Sequence, residues 1–222
     1  MSAFKRSLIS ALAVAAAATA AALAASPASA APQAPRAAAG KPVWTVSPGG
    51  VVTAASTGIT IRDTTAGQTV PCYLSTMTIR LEGGKKISPN GSTVTSAAFG
   101  QCTLPKGLPV VVKLAAFPWD VKLDSYDAAT EVTTGTLSGM HLGLSVPLIG
   151  CSAVADGPDG QDAHTGAVSA TYSNKTHVLK ATGYGNLRLY DVEGCQGLIA
   201  NGDSITLTAS YAVAPHQKIT SP

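Results

Sequence analysis

The amino-acid sequence predicts an all-β protein, an antiparallel β-sandwich or a partly closed barrel of about ten to twelve strands. Three observations favour this fold class. Segments in which apolar and polar residues alternate recur along the chain, and clusters of Gly, Pro, Asn, Asp and Ser separate them. After residue 30, no segment has the 3.6-residue period of an amphipathic helix.

The pattern of alternation distinguishes three kinds of strand. Half-buried strands are predicted for residues 57–63, 76–82, 176–181, 186–192 and 203–213. The segment LPVVVKLAAF (108–117) is almost continuously apolar, which is typical of a strand buried on both faces. The segment 130–146 mixes Thr, Val and Leu with Gly and predicts one long strand that is bent or interrupted.

The N-terminal thirty residues have the pattern of a secretory signal peptide. Lys5 and Arg6 precede an uncharged Ala/Leu-rich run, which ends in Ala28-Ser29-Ala30. The run is nearly long enough to be a membrane anchor, but the Ala-x-Ala site and the Pro-containing stretch after it favour cleavage. We therefore expect a secreted, extracellular protein with no membrane span after cleavage.

The rest of the chain divides into three parts. Residues 31–42 are rich in Ala and Pro and predict a disordered leader. A single β-sandwich domain is expected over 43–215, followed by a short tail at 216–222. The alternative of two small β domains is less favoured, because no Pro/Ser-rich linker divides the chain.

Charge argues against nucleic acid as a partner. The chain carries 15 Lys and Arg against 12 Asp and Glu, and only 12% of its residues are charged. The sequence has no basic cluster, and such a cluster is the electrostatic signature of nucleic-acid binding. The sequence also indicates no cofactor.

The four cysteines predict two disulfides. An even number of cysteines in an exported protein favours disulfides, and the spacing lacks the C-x-x-C pairs of zinc sites. Four cysteines allow three connectivities. We favour the sequential one, Cys72–Cys102 and Cys151–Cys195. The two halves of the chain place their cysteines similarly relative to turns and strands, so internal duplication is a further hypothesis.

Several segments carry a resemblance to a known group of proteins. They are WTVSPGG (44–50), IRDTTAGQTVPC (61–72), GTLSGMHLGLSVPLIGCSA (135–153), GCQGL (194–198) and GDSITLTASYAV (202–213). The chain resembles a group of uncharacterised, secreted actinobacterial proteins of streptomycete type, which are disulfide-containing β proteins. The resemblance implies a fold and an export route, and it supplies no catalytic or ligand-binding residues.

The stretch CSAVADGPDGQDAHTG (151–166) contains the strongest candidate for a site. Asp156, Asp159 and Asp162 are three residues apart in a Gly-rich segment, which is suitable chemistry for calcium. The alternate-residue spacing and closing Glu of an EF-hand are absent, however. Asp, Gly and Pro are also the residues that a turn selects. We interpret the stretch as a solvated loop, with calcium as the weaker alternative.

Other candidate residues give weaker signals. Zinc requires the fold to bring together some of the four histidines, of which His141 and His177 are expected in strands. A glycosidase needs two carboxylates across a cleft, but the acidic residues of segment 120–131 are interpreted as a solvated loop. The two tryptophans and most tyrosines are expected to pack in the core or on strand faces rather than form a sugar-binding row.

The sequence contains no catalytic motif, in particular no G-x-S-x-G. We therefore expect a non-catalytic extracellular or cell-envelope-associated protein, a binding module for an unknown extracellular ligand or envelope component. The alternative is a secreted hydrolase or enzyme inhibitor whose site is built from scattered residues. Two opposed carboxylates in a cleft, or a Ser beside a His, would favour the enzyme.

Overall fold

A computed structural model describes residues 43–222, and the expected signal peptide and leader lie outside the described residues. The described chain is all-β and antiparallel, in agreement with the predicted fold class, with one twelve-stranded and one three-stranded sheet. Two short 3-10 turns, Pro105–Gly107 and Pro147–Ile149, interrupt the strands. The strands are β1 (Trp44–Ser47), β2 (Gly50–Ser56), β3 (Ile59–Asp63), β4 (Thr69–Leu81), β5 (Gly84–Ile87), β6 (Ser92–Thr103), β7 (Pro109–Ala115), β8 (Trp119–Asp127), β9 (Val132–Val146), β10 (Cys151–Asp156), β11 (Gly166–Ser173), β12 (Val178–Gly185), β13 (Arg188–Glu193), β14 (Ile205–Ala214) and β15 (Lys218–Thr220).

The larger sheet closes on itself through eight strands. Their order is β9, β11, β12, β14, β2, β4, β6, β8 and back to β9, and every neighbouring pair is antiparallel. We call this the first ring. A closed ring of strands agrees with the second alternative of the predicted fold class, the partly closed barrel.

A second ring uses the other ends of four of these strands. Its order is β14, β3, β4, β6, β7, β9, β10 and β13. It closes through a single bridge between Arg188 and Ser204, beside which the Leu189 N–H donates to the Asp203 carbonyl at 2.9 Å. Strands from both halves of the sequence therefore pair throughout one sheet.

Long strands connect the two rings. Strand β9 shows how: its residues 132–138 pair with β8 and β11, whereas residues 141–146 pair with β7 and β10. Gly139 lies between these two parts with φ of +85°, a backbone conformation that favours glycine. The predicted long strand is thus one strand that changes partners.

The three-stranded sheet has the order β15, β1, β5. Trp44 and Val46 of β1, Ile87 of β5 and Ile219 of β15 are buried in the common core. The expectation that residues 216–222 form a short tail is therefore wrong, because β15 pairs with β1 and Gln217 is only 2% exposed.

Two other expectations about strands are also wrong. Strand β7 is not buried on both faces: Val110 is buried while its neighbour Val111 is 42% exposed, because only the inner face of the ring is covered. Segment 120–131 is not a loop, since its first eight residues belong to β8 and only the end forms a turn.

The predicted disulfides are confirmed. Cys72 and Cys102 lie directly opposite each other on β4 and β6, with Cα atoms 3.9 Å apart. Cys151 at the start of β10 joins Cys195, which follows β13, at a Cα separation of 4.3 Å. No cysteine of residues 43–222 is left free.

Candidate functional site

Asp156, the last residue of β10, holds a loop together from inside. Its side chain is completely buried. Oδ1 accepts the backbone N–H groups of Gly157, Thr165 and Gly166 at 2.6–3.2 Å. Oδ2 accepts the His164 N–H at 3.2 Å. The loop 157–166 is therefore wrapped around this one carboxylate.

The hydrogen bonds determine the charge state of Asp156. Burial alone would raise the pKa of this carboxyl, but hydrogen bonds from the His141 ring and from backbone N–H groups outweigh burial, and the pKa lies below its usual value. A buried carboxylate that accepts several N–H groups is stable as the anion. Asp156 is thus a fixed negative charge beneath the loop.

The structure separates the three aspartates of the predicted calcium candidate. Asp159 and Asp162 are exposed on the loop, as expected for solvated residues, whereas Asp156 is buried beneath the loop. The expectation that Asp156 is solvated is therefore wrong. Among residues 43–222, neither Asp159 nor Asp162 belongs to a group that could share a metal ion.

Two histidines lie against Asp156 instead. Strands β9 and β10 pair Leu142 with Ala155, and this register places His141 beside Asp156. His141 Nδ1 donates to Asp156 Oδ2 at 2.9 Å, and His164 Nδ1 lies 3.6 Å from the same oxygen. The two imidazole rings meet edge to face, with centroids 5.1 Å apart. We call His141, Asp156 and His164 the Asp156 cluster.

The remaining two histidines form a separate pair. His177 and His216 stack with ring centroids 3.8 Å apart. The expectation that His177 lies in a strand is wrong. His177 ends the turn before β12 and has φ of +55°. The fold therefore gathers the histidines in two pairs, and only the first pair has a carboxylate between its members.

A histidine held by a buried aspartate is also found in hydrolase triads, in which the histidine activates a serine. Within the described residues, the hydrogen bonds of the His141 ring reach Asp156 and no serine hydroxyl. The acidic side chains of β8 do not supply an alternative. Asp124 and Asp127 point outward and bind Thr136 and Thr130 on the exterior face.

Most large aromatic side chains contribute to packing. Trp44 and Trp119 are fully buried, which confirms their predicted place in the core, and Tyr172 and Tyr211 are nearly so. Burial raises the pKa of the Tyr211 hydroxyl, which hydrogen-bonds to Ser75 Oγ at 2.9 Å. These four aromatic side chains are therefore not available for stacking on a sugar at the surface.

The interior of the first ring contains a cavity of ≈ 100 Å³, which we call the first-ring cavity. All eight strands of the ring contribute to its wall, and β15 adds Ile219. The wall is mainly aliphatic and aromatic, including Met77, Phe99 and Met140. An eight-stranded ring is either filled by its own side chains or has room for one small ligand.

A row of small residues makes the room. Ala170 of β11 lies directly opposite Gly135 of β9 on one side and Ala181 of β12 on the other. All three line the cavity. At Gly135 a Cβ atom would lie 2.6 Å from the Lys122 carbonyl oxygen, so glycine is required for the close pairing of β8 and β9. Larger residues at the two alanines would occupy the cavity.

One polar group of the cavity wall has no partner. Thr133 lies two residues before Gly135 on β9, lines the cavity and is 2% exposed. Its Oγ1 is buried without a hydrogen bond to any described residue. A buried hydroxyl without a partner costs about 1–3 kcal/mol, so a rotation of the Thr133 side chain that brings Oγ1 to a donor or acceptor of a ligand in the cavity would lower the free energy.

Sequence reasoning missed this cavity and its hydroxyl. The alternation of Thr133, Gly135 and Leu137 was visible, but which residues of β11 and β12 face them depends on strand register.

No family model, curated protein or solved structure matches this chain. Residues 43–222 contain no helix with the length and hydrophobicity needed to cross a membrane.

Proposed function

We propose that this chain is a secreted, non-catalytic binding protein of the extracellular space or cell envelope. Its ligand is a small, mainly apolar molecule held in the first-ring cavity. The signal-peptide pattern of residues 1–30 and the two disulfides support export, because disulfides are typical of oxidising compartments.

The observation that carries the proposal is the unpartnered Thr133 hydroxyl in an otherwise apolar cavity. Binding pockets are typically apolar, with a few polar groups that fix the orientation of the ligand. An apolar cavity of about 150 Å³ can hold benzene. The first-ring cavity, at ≈ 100 Å³, therefore suits a ligand of at most one ring. We infer a small alcohol or phenol whose hydroxyl bonds to Thr133.

The test compares phenol with benzene by calorimetry on the disulfide-bonded protein. We expect saturable binding of both, with tighter binding of phenol. Thr133→Val removes the hydroxyl and keeps the shape. It should weaken phenol about fivefold, leave benzene unchanged, and raise the free energy of unfolding by about 1 kcal/mol.

Ala170→Leu provides the second arm, because its larger side chain fills the cavity. Binding of both ligands should fall at least about tenfold, with the fold retained by circular dichroism. Ala212→Leu is the matched control, since Ala212 is exposed on β14 outside the cavity. Undiminished binding in Ala170→Leu, or the absence of saturable binding in the wild type, would refute the proposal.

A further inference from the structure

We propose that His141, Asp156 and His164 form a binding site for a divalent transition-metal ion of the zinc class. The site lies on β9, the end of β10 and the loop 157–166. None of its three residues lines the first-ring cavity, so the inference is independent of the proposed ligand.

The geometry of the Asp156 cluster fits three ligands on one ion. The candidate ligand atoms all lie within 4.8 Å of one another. Around a tetrahedral zinc ion with bonds of 2.0–2.1 Å, neighbouring ligand atoms are about 3.3 Å apart. The separations of His141 Nδ1 and His164 Nδ1 from Asp156 Oδ2, 2.9 and 3.6 Å, bracket that value.

The donor atoms determine which ions the site prefers. Two imidazole nitrogens and one carboxylate oxygen suit zinc, copper and nickel, whereas calcium requires six to eight oxygen ligands. The anionic Asp156 compensates part of the charge of the ion, and its hydrogen bonds from backbone N–H groups hold the carboxylate in place. The ion requires the Nδ1 lone pair of His141, so the proton on Nδ1 moves to Nε2 and the ring binds as a neutral imidazole.

One side of the cluster is open to solvent. The His141 side chain is 18% exposed and the His164 side chain 50% exposed, whereas that of Asp156 is fully buried. The exposed His164 side chain can therefore rotate toward the ion. The hydrogen bond from the His164 N–H to Asp156 keeps the backbone in place. Three protein ligands leave a fourth position, which water or an external ligand can occupy.

The site also constrains the choice of variant. Because His164 has φ of +51°, His164→Asn is preferable to alanine, since asparagine tolerates this conformation. The variant keeps the backbone N–H that binds Asp156. His177→Asn is the matched control, because His177 has nearly the same φ of +55° and belongs to the other histidine pair.

The experiment uses disulfide-bonded protein treated with a chelator and then titrated with zinc chloride in a calorimeter. We expect one zinc ion per chain, at least about tenfold weaker binding in His164→Asn, and unchanged binding in His177→Asn. Cobalt chloride should give visible absorption bands typical of nitrogen-containing tetrahedral coordination in the wild type and weaker bands in His164→Asn.

Three outcomes would overturn the proposal. The first is wild-type protein that binds no zinc saturably. The second is His164→Asn binding zinc as tightly as the wild type, and the third is His177→Asn losing the ion instead. Calcium chloride serves as a comparison, and calcium binding as tight as zinc binding would also contradict the assigned donor set.

Discussion

Asp63 and Asp156 are both buried carboxyl groups, yet their surroundings move their pKa values in opposite directions. Asp156 is held anionic by a histidine ring and several N–H groups. For Asp63, burial raises the pKa, the N–H groups of Ala66 and Thr65 lower it in part, and the neighbouring Asp203 carboxyl raises it further. Its Oδ2 is buried without a partner. The net effect is a pKa above the usual 3.8.

This difference predicts a pH dependence for Asp63. Its folded-state pKa is higher than its unfolded-state pKa, so the protonated group stabilises the fold below about pH 4, and this stabilisation is lost as pH rises through the raised pKa. Asp63→Asn stays neutral and keeps an acceptor for the Thr65 and Ala66 N–H groups. We expect the variant to gain stability relative to the wild type as pH increases from about 4 to 7.

Chemical denaturation at several pH values measures that difference. Effects of titrating groups that do not interact with Asp63 cancel, because both proteins share them, so the difference reports Asp63 together with its neighbour Asp203. Asp120→Asn, at an exposed position of β8, is the matched control for the loss of one carboxylate, and Asp63→Asn should diverge from the wild type more than this control does. A constant difference between Asp63→Asn and the wild type over this range would contradict the prediction.

At the level of elements, the loop 157–166 depends on a residue that the sequence does not distinguish from its neighbours. Asp156→Asn replaces one acceptor oxygen by an NH₂ group, which cannot accept the His164 N–H. We expect a loss of about 1–3 kcal/mol in the free energy of unfolding. Asp159→Asn, at an exposed position, should change it by less than about 0.5 kcal/mol. Urea unfolding compares the two, and equal effects would mean that Asp156 does not organise the loop.

The strands were predictable because their signal is local, and the sites were not because theirs depends on register. Alternation located β3, β13 and β14 closely. In CSAVAD the same alternation puts Ala155 inward and Asp156 outward, and only the returning loop buries Asp156. The meeting of His141 with His164, and of Gly135 with Ala170, similarly follows from pairings between segments distant in sequence.

At the level of the whole molecule, the last residues complete the fold. Tyr172 donates its hydroxyl hydrogen to the Gln217 carbonyl at 2.8 Å. Asn174 exchanges two hydrogen bonds with the backbone of Ile219 at 2.8 and 2.9 Å. The C-terminal segment thereby fixes the end of β11 and places Ile219 in the wall of the first-ring cavity.

Removing residues 216–222 should therefore destabilise the entire protein. The deletion exposes the core side of β1, removes the buried Ile219 side chain and leaves Asn174 without its backbone partners. We expect a loss of about 3 kcal/mol or more in the free energy of unfolding. Deleting only residues 221–222, which lie beyond β15, should have little effect. Thermal unfolding of the two truncated proteins measures this difference. Equal melting temperatures would contradict the stabilising role of residues 216–220.

Strands β4, β6, β9 and β14 each belong to both rings. Loss of any of these four strands breaks both rings, so we expect the two rings to unfold together as one cooperative unit. Closing each ring also requires pairings between segments far apart in sequence, such as β14 with β2 in the first ring and β14 with β3 in the second. A chain of this topology folds slowly compared with a helical bundle of the same length, because the entropy of long loops is lost before the contacts that compensate it have formed.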